Sequence, residues 1–189
     1  DIEGTTHLSQ DARNEIASTL IALTLEELFS FGVMQTDPNF ANYLYDEATQ
    51  KVVLLDFGAT QEIGSEIVTQ YRDLFTAGLG RDIDALQAIV QKIGFFAGKT
   101  KDTHKAQITA MIELVFDAIT QSESYDFTDG KLQAKMQDMG MKLANDGFIP
   151  PPLGIDVLLL QRKFGGMFLP ANRLGAQVDL KALIERSVA

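Results

Sequence analysis

The stretch from Gln35 to Gly58 constrains this chain more than any other part of it. Asp37 stands five residues before Asn42, and the triplet Asp56-Phe57-Gly58 closes the apolar run Val52-Val53-Leu54-Leu55. Pro38 keeps Asp37 out of helical geometry, because the residue before a proline disfavours the α region. A short, unbroken apolar run reads as a strand covered on both faces. Asn42 to Tyr45 reads as its partner strand, with the polar segment 46–50 as the turn between them. The expectation is an irregular loop over 33–42, then a hairpin that presents two acids and an amide.

Helical patterns surround this hairpin. Ser9 to Phe31 has Ile16, Leu20 and Leu23 at helical spacing, broadened by Ala17, Ile21, Leu25 and Leu28, so much of this helix is expected to be buried. Ser9 suits its N-cap and Gly32 its stop. From Gly64 onward the chain reads as wholly helical. Candidates are Ser65 to Ala77, a helix capped by Asp82, one capped by Thr103, Gly130 to Asn145, Ile155 to Phe168 and Asp179 to Ser187. Pro150-Pro151-Pro152 is a rigid break.

Several features read as structural. Gly78-Leu79-Gly80 lacks a third glycine and a preceding strand, so it reads as an interhelical turn. His7 and His104 have no partner at metal-ligand spacing, which suggests surface or capping roles. Met136, Met139 and Met141 read as core or lobe packing rather than a lipid groove. Val157 to Leu160, flanked by Arg162 and Lys163, leaves a peripheral membrane or lipid contact open beside a buried terminal helix.

Composition narrows the partners. Sixteen Lys and Arg against 26 Asp and Glu give a formal net charge of -10, which repels nucleic-acid phosphate and excludes a nucleic-acid partner. The same field repels anionic headgroups and works against ATP unless cations compensate. With no Cys, disulfides and thiolate metal sites are excluded. No apolar run reaches the roughly 18 residues of a membrane span. The start, Asp1-Ile2-Glu3-Gly4, lacks an initiator Met and reads as the edge of a piece cut from a longer protein.

The chemistry of the hairpin follows from phosphoryl transfer, which needs charge neutralisation and alignment more than covalent catalysis. Magnesium is a hard ion held by one or two carboxylates, phosphate oxygens and water. Asp56 suits that role at the end of a rigid strand. Phe57 is expected to anchor the turn in the core, and Gly58 to permit the bend. Asn42 offers an amide oxygen to a second metal. Asp37 can orient a nucleophile or accept its proton. Asp37 is therefore the candidate catalytic residue, Asn42, Asp56, Phe57 and Gly58 the cofactor-binding set, and Asn42 and Asp56 the metal ligands.

The two motifs together resemble the magnesium-binding edge of a protein-kinase site. More specifically, Met34-Gln35-Thr36-Asp37-Pro38-Asn39 through Asn42, and Leu54-Leu55-Asp56-Phe57-Gly58-Ala59-Thr60, resemble the UbiB family of atypical kinase-like proteins of coenzyme Q biosynthesis. Ser9 to Ile16, Pro150-Pro151-Pro152 and Arg162-Lys163-Phe164-Gly165-Gly166 are similar to flanking parts of that family. The resemblance implies an ATPase more than a protein kinase, with Mg-ATP as cofactor and quinone-pathway proteins or lipid intermediates as partners. It implies Asp37 as catalytic acid and Asn42 and Asp56 as magnesium ligands. Gln35-Thr36 replaces the usual His-Arg, Asn39 the usual Lys, and no Ala-Pro-Glu follows, so protein phosphorylation is disfavoured.

The implied architecture is a mainly α, protein-kinase-like C-terminal lobe with a short β-hairpin carrying the catalytic loop and Asp-Phe-Gly. Its expected parts are a hinge end over 1–8, a long buried helix over 9–31, the catalytic loop and hairpin over 32–63, and a helical subdomain over 64–189. The N-terminal lobe with its phosphate-binding lysine is expected before Asp1, so nucleotide binding and turnover by the chain alone are expected to be weak or absent. A bacterial cytoplasmic location, peripheral to the inner membrane, or the mitochondrial matrix side is implied. Two alternatives stand beside this reading: a small-molecule phosphotransferase of the aminoglycoside or choline kinase type, and a non-catalytic interaction or lipid-binding module.

Overall fold

Helix α1 spans Gln10–Glu26 in the computed structural model, which describes residues 2–189. Ser9 caps it, its Oγ accepting the Ala12 N–H at 3.2 Å and so satisfying one of the helix's unpaired first-turn donors. Ile16, Ala17, Leu20 and Leu25 share a buried face. The chain continues through one π-helical turn, Glu27–Phe31, and stops at Gly32, whose φ of 63° suits a residue without Cβ.

Strand β1, Val33–Gln35, follows at once. It pairs antiparallel with β4, Thr60–Glu62, so the start of the expected irregular loop is in fact a ladder. Strands β2, Tyr43–Asp46, and β3, Lys51–Leu54, form the expected hairpin, with Gln50 left-handed in the turn at φ 54°. Cover on both faces of β3 does not hold. The strand packs toward α1 on one side, while Val53 is 40% exposed and Leu55, just beyond it, 52%.

Helices α2, Ser65–Gly80, α3, Ile83–Ile93, α4, Asp102–Thr120, α5, Lys131–Asn145, α6, Ile155–Arg173, and α7, Leu180–Val188, complete the layer around α1. Asp82 caps α3 as its residue type predicts, accepting the Ala85 N–H at 3.0 Å. Thr103 does not cap α4, which begins one residue earlier with Asp102 placed where the helix dipole favours an acid. Gly78-Leu79-Gly80 is no interhelical turn but the last turn of α2. Gly78 there lets the Phe116 ring of α4 lie on the helix backbone, in the space a Cβ would occupy. The region is also not wholly helical, since β5, Tyr125–Asp126, pairs with β6, Gln177–Val178.

Burial settles other readings. Val157 and Leu160 are 1% and 0% exposed and face the core, while Leu158 between them is 47% exposed, so only part of this stretch of α6 is buried. His104 is buried, with its Nε2 2.7 Å from Asp146 and its ring edge-on to Phe148, a pairing across sequence that local spacing could not show. His7 is exposed and lies 3.2 Å from Glu47. Met136 and Met139 are half-buried, whereas Met141 is exposed, so that series is only partly packing. Among the described residues no helix is long and apolar enough to cross a membrane.

Candidate active site

The loop between β1 and β2 is shaped by its own short-range bonds. The Asn39 carbonyl accepts the Asn42 N–H at 3.0 Å, and the Asn39 side chain accepts the Ala41 N–H at 3.1 Å. This 3-10 turn, Phe40–Asn42, brings the Asn42 amide back to Asp37. The Asn42 Nδ2 donates to Asp37 Oδ2 at 3.2 Å. On the other strand, the Leu55 N–H donates to the Asn42 carbonyl at 3.0 Å, placing Asp56 beside the loop. Asn42 and Asp56 line one small cavity together with Gln35, Tyr43 and Glu27. Thus the structure brings Asp37 to Asn42 by direct contact, and Asn42 to Asp56 through a shared cavity.

The turn after β3 is tight. Asp56 Oδ1 accepts the Gly58 N–H at 2.7 Å, a turn stabilised by the aspartate's own side chain. Phe57 does not anchor it in the core. Its ring is 62% exposed, although it also lines the small cavity.

Free oxygens decide what the site can hold. The Asn42 amide spends its nitrogen on Asp37, and its oxygen has no partner among the described residues. Asp56 spends Oδ1 on Gly58 and keeps Oδ2 unbonded. One carboxylate oxygen and one amide oxygen in a shared cavity are a donor set that magnesium accepts when phosphate and water complete the shell. No group of three or more His, Cys, Asp or Glu side chains among the described residues is placed to hold a metal by itself.

Three positioning residues escaped the sequence reading. Gln35, buried, clamps both acids at the backbone. Its Nε2 donates to the Asp56 carbonyl at 2.6 Å and its Oε1 accepts the Asp37 N–H at 3.0 Å. Lys163 of α6 is fully buried. Its ammonium lies 2.9 Å from Glu27 and donates to the Gln35 carbonyl at 2.9 Å and the Tyr43 hydroxyl at 3.2 Å. Arg162, next to it but exposed, reaches Asp37 Oδ1 at 3.5 Å. A signal for Lys163 existed, since Val157, Leu160, Lys163 and Met167 fall on one helical face and its neighbours there are apolar. Gly166, one turn on from Arg162, lets α6 approach the loop so closely that a Cβ would overlap Pro38.

The chain is similar to known proteins over most of its length. The ABC1 atypical kinase-like domain matches residues 2–90, the span that contains Asp37, Asn42 and Asp56 but not the α6 residues beside them. The mitochondrial atypical kinase COQ8B of Rattus norvegicus is 37% identical over 179 residues, 94% of this chain and 33% of that protein. The mitochondrial atypical kinase COQ8 of Saccharomyces cerevisiae is 33% identical over 186 residues, 96% of this chain and 36% of that protein. The chain spans about a third of the length of these relatives. Among solved structures, a Mycobacterium tuberculosis protein in complex with erythromycin superposes with a TM-score of 0.67 at 20% identity. That match covers 94% of this chain and 44% of the other, and shows a shared fold.

Proposed function

Because the chain belongs to the ABC1 (UbiB) family of atypical kinase-like proteins, we propose that it forms the acidic, metal-binding half of a Mg-ATP site in a protein that supports ubiquinone biosynthesis. The observation that carries the reading is the Gln35 clamp. One side chain fixes the backbone of Asp37 and of Asp56, so that the acids keep a set separation. Bound magnesium would supply neutralisation of phosphate charge, with Asp56 Oδ2 and Asn42 Oδ1 as its protein ligands. Asp37, held by Asn42 and offset by Arg162, orients the attacking water or hydroxyl and accepts its proton. Positioning of this kind is most of what phosphoryl transfer requires. The relatives are mitochondrial, and the proposed location is the matrix side or its bacterial cytoplasmic counterpart, beside the inner membrane.

The chain alone should be a poor catalyst. Its net charge is -10, and Lys163 is committed to Glu27. ATP hydrolysis by the 189-residue chain and by the intact polypeptide, each beside Asp56→Asn, tests both statements. The expected result is turnover in the intact polypeptide that Asp56→Asn abolishes, and little in the chain. Turnover indifferent to Asp56→Asn overturns the metal assignment, and robust turnover by the chain overturns its dependence on further residues.

A further inference from the structure

A charge pair sealed inside a fold calls for an explanation, because its replacement by apolar side chains is often neutral or stabilising. Lys163 and Glu27 are such a pair, with side chains 0% and 10% exposed and a separation of 2.9 Å. What distinguishes them is where they reach. Glu27 opens the π-helical turn after α1, a helix irregularity frequent at functional sites. It also lines the small cavity that Asn42 and Asp56 share. The Lys163 ammonium donates to the Gln35 carbonyl on β1 at 2.9 Å and to the Tyr43 hydroxyl on β2 at 3.2 Å. One nitrogen of α6 thus meets the π-turn, β1 and β2, three segments that border the two acids.

The Gln35 carbonyl is the contact that bears on geometry. It shares one planar peptide unit with the Thr36 N–H, which donates to the Ala59 carbonyl at 3.1 Å. Lys163 at one end and Ala59 at the other fix the tilt of that plane. The plane aims the Gln35 side chain, whose amide joins the Asp56 carbonyl to the Asp37 N–H. Removing the ammonium takes away one of these two ties. A lysine and a glutamate sum to zero charge, so deleting both leaves the net charge beside Asp56 unchanged and isolates the loss of the tie.

We propose that Lys163 is a positioning residue for phosphoryl transfer, which through the Gln35 carbonyl sets the separation of Asp37 and Asp56, with Glu27 holding its ammonium in place. The proposal rests on the assignment of those acids to nucleophile and metal. Lys163 acts through Gln35 and does not itself meet phosphate, since it has no solvent exposure. Phosphoryl transfer depends on alignment, and an ångström of misplacement can cost about a hundred-fold in rate. The pair is retained for the geometry of the site, and folding can do without it.

The test uses the intact polypeptide that carries these residues and the double variant Glu27→Leu with Lys163→Met, in which no charge is stranded. The double variant should unfold near the wild-type temperature, while its kcat for Mg-ATP hydrolysis falls about ten- to hundred-fold and its KM for ATP stays near the wild-type value. Gly78→Ala, which strains the contact of α2 with α4, should keep kcat. Hydrogen exchange read by mass spectrometry is independent of turnover. Peptides spanning 35–42 should exchange about ten-fold faster in the double variant, as the loss of a charged hydrogen bond allows, and those of α1 at the wild-type rate. Should the double variant fail to fold by circular dichroism, Glu27→Gln with Lys163→Met takes its place. Wild-type kcat in the double variant, beside an inactive Asp56→Asn, overturns the positioning role and leaves the metal assignment standing. Turnover indifferent to Asp56→Asn overturns the metal assignment instead, and the exchange rates then decide: unchanged rates over 35–42 overturn the tie, and faster ones uphold it. An equal fall of kcat in Gly78→Ala also overturns the proposal, since lost stability would then explain both.

Discussion

Lys163→Met removes a buried cation that holds the Asp37 loop from inside the fold through the Gln35 carbonyl. The ammonium has no solvent exposure and lies 2.9 Å from a Glu27 side chain that is itself only 10% exposed. Methionine keeps the length of the side chain and deletes the charge. Glu27 is then left charged in the interior, and the Gln35 carbonyl and Tyr43 hydroxyl lose a donor. Breaking a buried pair from one side costs about 3–5 kcal/mol, because the stranded charge keeps its desolvation penalty. In a domain of this size each kcal/mol moves the midpoint by roughly 2–4 °C, so the variant should melt roughly 6–20 °C lower. Replacing both partners removes the stranded charge. Glu27→Leu with Lys163→Met should therefore regain most of the loss, since an apolar replacement of a buried pair is often neutral or better. Urea unfolding followed by far-UV circular dichroism, run on both single variants and the double, gives the cycle. A loss below about 1 kcal/mol for Lys163→Met, the worth of a surface pair, would refute the reasoning. A double variant no more stable than Lys163→Met would refute it as well.

Other substitutions probe the remaining contacts. Gly166→Ala puts a Cβ into Pro38, so ATP turnover by the intact polypeptide should fall about ten- to hundred-fold, with an overpacking cost of about 1–3 kcal/mol in stability; unchanged turnover would disconnect α6 from the loop. Gly78→Ala drives a methyl into the Phe116 ring and should cost about 1–3 kcal/mol by urea unfolding. The same change should cost less in a Phe116→Leu background, and equal costs in both would rule out the ring as the cause. The Asp126 carboxyl is held below the usual range first by the Thr128 hydroxyl, at 2.6 Å, and then by the Thr128 N–H, at 2.8 Å. A depressed folded-state value means that this contribution is complete above about pH 4 and fades as the pH falls through the folded value. Thr128→Val should raise the Asp126 carboxyl and flatten the decline of stability below about pH 4. An NMR titration of Asp126 that does not move in the variant counts against the assignment.

Local signals in this sequence were legible where one residue type answers one backbone need. Ser9 and Asp82 cap because a short oxygen before an apolar-periodic stretch can reach an unpaired N–H. Gly32 stops α1 because only a residue without Cβ takes that φ cheaply. The hairpin was legible because two apolar runs flank one polar turn. Long-range pairings were not legible in this way. The ladder between β1 and β4 and the bridge between β5 and β6 involve two or three residues each, too few to show a period. His104 finds Asp146 only once α4 and α5 pack together. Phe57 shows the opposite failure. An apolar side chain in sequence signals a preference for cover, but it cannot say what supplies the cover, and none of the described residues hides this ring.

At the site, the chemical groups were legible and their scaffold was not. Asp37, Asn42 and Asp56 are the proposed chemical groups by residue type and spacing, and the structure places them at one loop and turn, whereas Gln35 looked like a mere departure from His-Arg. Its side chain supplies a donor and an acceptor at fixed separation, and both are used, on Asp56 and Asp37 respectively. Thr36 adds a second tie by donating from backbone and hydroxyl to the Ala59 carbonyl, at 3.1 and 2.8 Å. Lys163 then holds the Gln35 carbonyl from behind. Here the residue before Asp37 is a buried threonine already committed to Ala59. The contacts that order this loop are therefore internal to residues 27–163. Its geometry is set by the folding of these residues, with Gln35 on both acids and Lys163 behind Gln35.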